Sequence, residues 1–153
     1  MMMSTSQMLG KEILCSSITT IAHTLSGTLG AVVKFVYHED QFKYLATHLE
    51  ELNLETDIAL LDVVVEYLES SVQSMPRTSR CLQLSIRHLH HALDEMHQAL
   101  QNLHQQMEAH RQLWFSYYRS FDAEGHLRLL RLCKKRLDHH FDRLVKVRQL
   151  LPH

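Results

Sequence analysis

The chain has 153 residues, a formal net charge of −1, four glycines and two prolines. That length suits one domain with a sizeable core, the scarcity of Gly and Pro favours helices throughout, and the near-neutral sum excludes nucleic-acid binding by bulk charge. The three cysteines, Cys15, Cys81 and Cys133, are far apart, odd in number and without CxxC spacing, which suits a reducing compartment and structural thiols.

Residues 1–10 read as a short polar leader ending in Gly10. It has no basic n-region, and Met2 stands where myristoylation needs Gly. A first helix is expected over residues 11–37. Ile13, Leu14, Ile18, Ile21, Ala22, Leu25, Leu29, Val32, Val33 and Val36 fall on one broad face. The opposite face is Ser and Thr, and no charged residue stands between Glu12 and Lys34. Such a stretch reaches about 30 Å, the thickness of a bilayer core, although its hydrophobicity is modest for a permanent span. Gly27 and Gly30 loosen its middle, each at about 1 kcal/mol against Ala.

A second helix is expected over residues 40–74, with Phe42, Leu45, Leu49, Leu52, Thr56, Leu60, Val63 and Tyr67 as its buried face and Pro76 ending it. A third is expected over 79–121, capped by Thr78 or Ser79. Its seam is Leu82, Ile86, Leu89, Leu93, Met96, Leu100, Leu103, Met107, His110, Trp114 and Tyr117. Steps of four and three alternate without a slip, which is a heptad stripe roughly 54 Å long. No helix buries such a stripe alone, so others must lie along it. Asp122 is the expected cap of a fourth helix over 123–151, burying Leu127, Leu130, Cys133, Leu137, Phe141, Leu144 and Leu151. The aromatic run Trp114, Phe115, Tyr117, Tyr118 and Phe121 reads as a plug at the end of the core. Four helices with short connections predict an all-α, antiparallel four-helix bundle with a long third helix, in a single domain over 1–153.

Charge is sorted by helix. Residues 39–70 hold nine acids and one base, Lys43; residues 126–151 hold eight bases and two acids. Neighbouring helices of opposite charge attract, at little gain per exposed pair. A basic helix also draws toward anionic lipid, and an acidic one toward a partner.

The thirteen histidines raise the question of a metal. His90, His97 and His104 repeat every seven residues, so successive imidazoles lie about 10 Å apart, too far to share an ion. His90, Asp94 and His97 form the one candidate face, with His139 and Asp142 a weaker pair. No second helix supplies matching ligands, so neither a metal nor a cofactor is expected. There is no GxSxG, P-loop or base partner for Cys15, so no catalytic residue and no enzymatic activity are expected.

Taken together, the charge-poor first helix with its small residues (25–33, LSGTLGAVV), the aromatic-basic junction (113–119, LWFSYYR) and the basic last helix (127–144) resemble the N-terminal four-helix cell-death domains. These are the HeLo domain of fungi, the N-terminal bundle of the mixed-lineage kinase-like pseudokinase, and the powdery-mildew-resistance type of coiled-coil domain on plant immune receptors. The likeness covers about residues 18–148 and is densest over 113–144. It implies a cytoplasmic signalling domain in cell death and innate immunity, recruited to the plasma membrane on activation. It implies a homo-oligomer, anionic lipid partners, and downstream nucleotide-binding or kinase-like domains of a longer protein. Ile13, Ile18, Ile21, Leu25, Leu29, Val32, Val33 and Val36 would then insert into the membrane. Arg128, Arg131, Lys134, Lys135, Arg136, Arg143 and Lys146 would contact lipid. One departure stands out: the acids sit on the second helix (55–62, ETDIALLD), not on the third as in the other main type of plant coiled-coil receptor. The alternative expectation is a soluble helical adaptor whose acidic face, Glu50, Glu51, Glu55, Asp57 and Asp62, docks a protein partner.

Overall fold

A computed structural model describes residues 5–74, 80–113 and 120–150, with side chains for 16–68, 80–113, 120–147 and 149. The chain is all-α, with no strand among the described residues. Its helices are α1 (Thr5–His38), α2 (Leu45–Glu51), α3 (Leu54–Ser74), α4 (Arg80–Gln112) and α5 (Glu124–Leu150), with a 3-10 turn at Asp40–Phe42.

The heptad stripe of α4 organises the core. From Leu82 to Met107 every seam residue is at most 2% exposed. Ala92 and Ala99, beside the seam, are buried too. These small residues widen the stripe, so α4 carries α1 on one side and α5 on the other, its two most extensive packing partners. Each large seam residue stabilises the fold by about 1.5–3 kcal/mol relative to exposure. The expected helix end at residue 121 is corrected: α4 stops at Gln112, and Ser120 to Ala123 are non-helical. Trp114 and Tyr117 lie outside the described residues.

α1 starts at Thr5, six residues before the expected Lys11, so Gly10 is carried inside the helix. Its apolar face is the core face: Ile18, Ala22, Leu25, Leu29, Val32 and Val36 are buried, with Ile21 and Val33 partly buried against them. On the outer face the Thr20 and Thr24 hydroxyls donate to the carbonyls of Ser16 and Thr20, each at 2.9 Å. Those side chains satisfy themselves on their own helix.

The expected second helix is broken in two. Phe42, Leu45, Leu49 and Leu52 are buried as expected, but Leu60 (47%), Val63 (63%) and Tyr67 (54%) are exposed, as is Thr56. The buried set after the break is Leu54, Ile58, Leu61, Val65 and Leu68. The cause is Asn53, whose φ of 52° lies in the left-handed region that Asn tolerates better than most residues. Its N–H bonds Glu50 O at 3.1 Å and its carbonyl accepts the Asp57 N–H at 3.2 Å. One residue thus ends α2 and opens α3, and the new helix presents a rotated face to the core.

α5 buries Leu127, Leu130, Cys133, Leu137 and Leu144, with Phe141 partly buried, as its spacing predicts. The Asp122 carboxylate accepts the Glu124 N–H at 3.2 Å, satisfying one orphan donor of the first turn. Aromatic rings close one end of the core. Phe42 meets Phe121 at 5.4 Å and His110 at 6.0 Å, and Phe35 meets His104 at 5.3 Å. The Tyr44 hydroxyl donates to Phe121 O at 3.1 Å.

Candidate functional site

Where α2 gives way to α3, the backbone turns and leaves a gap beside α1. The gap is a cleft of about 430 Å³. Leu29, Val33 and Val36 of α1, Leu49 of α2 and Leu54 of α3 form its apolar lining. Tyr37, Glu50, Asn53, Glu55 and Thr56 bring polar groups to it. The Tyr37 hydroxyl donates to the Glu50 carboxylate across the α1–α2 junction. That hydrogen bond, and the negative charge beside it, push the Tyr37 phenol above its usual range. The arrangement joins an apolar trough to two exposed carboxylates, a combination suited to an apolar side chain with a cation next to it.

The five acids expected to meet a partner divide between the cleft, the open surface beyond its lining and an ion pair. Glu50 and Glu55 line the cleft, and Glu51 and Asp62 are exposed elsewhere. Asp57 turns toward α5, where it pairs with Lys134.

The seven bases expected to meet lipid are divided in the same way. Lys134 is only 17% exposed and pairs with both Asp57 and Asp138. Burial disfavours its charge, but the two carboxylates outweigh that and hold its pKa above the usual value. Arg136 pairs with Glu95 at 3.2 Å, Arg128 with Glu124 at 3.3 Å and Lys146 with Asp142 at 3.2 Å. Arg131, Lys135 and Arg143 are exposed and make no ion pair among the described residues.

The residues expected to insert into a membrane face the core of α1, apart from Ile13, whose side chain lies outside those described. No helix among the described residues is long and apolar enough to cross a membrane.

The histidines are brought together differently from their sequence spacing. Asp94 accepts a hydrogen bond from Gln98 at 2.9 Å. Among the described residues no group of three or more His, Cys, Asp or Glu is placed to hold a metal ion. Instead, the rings of His88 and His139 each lie 5.4 Å from that of His140. Burial holds the His140 pKa below 6.5, helped by His88, His139 and Arg143 and opposed by Glu95. Well above pH 6.5 both folded and unfolded states are neutral here. As pH falls through 6.5 the unfolded chain takes a proton that the folded chain resists, so stability falls. Thermal melts at about pH 7.5 and about pH 5.5 should show that loss, and a smaller one in His140→Gln. Equal losses in both proteins would remove His140 as a cause.

Of the cleft residues, Tyr37 carries no periodic signal in the sequence. A signal for Asn53 existed: Leu54, Ile58, Leu61, Val65 and Leu68 keep four-three spacing and start right after it. No protein-family model, curated protein or solved structure matches the chain.

Proposed function

We propose that this chain is a helical protein-interaction module whose cleft between α1, α2 and α3 docks a partner segment carrying an apolar side chain beside a Lys or Arg. The observation that carries the reading is the apolar trough of about 430 Å³ with Glu50 and Glu55 on it. Around it, α1, α2–α3, α4 and α5 are read as an antiparallel four-helix bundle in which α4 is the long third member. Three contacts support that arrangement. Glu39 just after α1 meets Arg111 at the end of α4. Phe121 ahead of α5 meets His110 near that same end, while Arg136 farther along α5 meets Glu95 in the middle of α4.

The test is titration of a helical Leu/Lys-rich peptide into isotope-labelled protein. Amide shifts are expected at Tyr37, Ala46, Asn53 and Thr56, without any lipid present. Glu50→Lys with Glu55→Lys should weaken binding by about tenfold or more, about 1.4 kcal/mol. Undiminished affinity in that variant, or shifts away from the cleft, would sink the reading.

A second reading has one observation in its favour. The exposed bases Arg131, Lys135 and Arg143 suit an anionic membrane, as expected of a self-associating cell-death or immune domain. That reading requires α1 to leave the core before it permeabilises a bilayer. Dye release from anionic but not neutral liposomes by folded protein would favour it over the docking module.

A further inference from the structure

The break at Asn53 leaves an apolar stripe on the outside of the protein. Leu60, Val63 and Tyr67 of α3 are all about half exposed or more, and their spacing puts them on one outer face. Exposed apolar rows of this kind mark interaction surfaces. A second such row lies on α5, where Leu129 (42%) and Leu132 (44%) are exposed.

Each row runs beside a row of one charge. Asp62 and Glu66 flank the α3 stripe, and Arg131 and Lys135 flank the α5 leucines; all four are exposed. Both charged pairs are four residues apart, a rise of about 6 Å. Going round either helix in the same sense, at about 100° per residue, the charged row comes before the apolar row. That shared order constrains docking. If two such faces meet with their helices parallel, one being turned about its long axis, each charged row lands on the other's apolar row. If they meet antiparallel, charge faces opposite charge and apolar faces apolar.

We infer that α3 of one molecule docks antiparallel on α5 of a second copy, with Leu60, Val63 and Tyr67 against Leu129 and Leu132. Asp62 then stands opposite Lys135, and Glu66 opposite Arg131. The occupant is a second copy because the complementary surface is on the same chain, with acids in excess on one segment and bases on the other, and a total of −1. The two faces belong to different helices, so the contact is heterologous and propagates unless the geometry closes a ring. The inference is independent of the cleft, which neither charged pair lines.

The experiment is sedimentation velocity of the full chain at micromolar concentrations, with circular dichroism to confirm folding. Wild type should sediment faster as concentration rises, and more so at low salt. Two variants reverse one face each: Asp62→Lys with Glu66→Lys, and Arg131→Glu with Lys135→Glu. Each alone should need about tenfold more protein to associate. Mixed one to one they should associate like wild type, because each reversed face now meets a reversed complement. Glu50→Lys with Glu55→Lys should associate normally, which separates this contact from the cleft. A monomeric wild type, variants that associate unchanged, or a mixture that fails to recover would each overturn the inference. So would a wild type that stays monomeric yet binds phosphatidylserine vesicles through Arg131 and Lys135, which would assign the α5 face to lipid.

Discussion

Leu100→Ala is expected to lower the melting temperature by roughly 4–20 °C. Leu100 is fully buried in the middle of the α4 stripe, between the two helices that pack on it most extensively. Truncation removes the transfer free energy of the lost carbons and leaves a cavity that rigid neighbours fill only in part, together about 2–5 kcal/mol. In a chain of this size each kcal/mol is worth about 2–4 °C. Leu84, on the same helix but 39% exposed, is the control. Leu84→Ala should cost about 0.5 kcal/mol or less, since it opens no cavity and Ala is the better helix former. Thermal melts followed by circular dichroism compare the two. Similar shifts would mean that the stripe is not the organising contact of the core.

The larger effect is expected at α1. Leu25→Glu with Leu29→Glu should abolish the cooperative thermal transition at neutral pH. Both side chains are buried, at 0% and 4% exposure. A carboxylate buried in that apolar cluster must either stay charged at a large desolvation cost or hold a proton far above its usual pKa. Two such groups, with the apolar contacts of two leucines lost, exceed the roughly 5–15 kcal/mol that holds a domain folded. Thr24→Glu with Ser26→Glu changes the same helix on its exposed side and should leave a folded protein. This contrast bears on the membrane reading. Loss of liposome leakage in the leucine variant would report only unfolding, whereas the Thr24 and Ser26 variant tests lipid contact with the core intact. A leucine variant that melts cooperatively at the wild-type temperature would show that α1 is not part of the core.

Much of the core was legible in the chain. The α4 stripe needed only its four-three spacing, because a helix buries residues at that period wherever its neighbours lie. The same holds for Leu127, Leu130, Cys133, Leu137 and Leu144 of α5. The second expected helix failed for a definite reason. Phe42, Leu45, Leu49 and Leu52 continue at helical spacing into Thr56, Leu60, Val63 and Tyr67, so periodicity favoured one unbroken face. A rival row from Leu54 to Leu68 fitted equally well, and only one could face inward. Asn53 decided between them, because one left-handed residue rotates everything after it.

The candidate site was legible only as composition. The acid excess before residue 70 and the base excess after residue 126 are plain in the sequence, and both helices carry it. Which charges are spoken for is a matter of distance across the fold. Lys134 is bound by Asp57 and Asp138, and Arg136 by Glu95, while Arg131 and Lys135 on the same helix point outward.

By itself the sequence determined that this protein is helical, which stripe of α4 and α5 is buried, and how charge divides between segments, because these follow from period and composition along one chain. Only the tertiary structure decided that α2 and α3 are separate helices, that Tyr37, Glu50 and Glu55 share a cleft, and that Leu60, Val63 and Tyr67 face out. Those depend on the rotation of one helix against others, which the backbone angle at Asn53 sets and which the two competing rows of local spacing leave undecided.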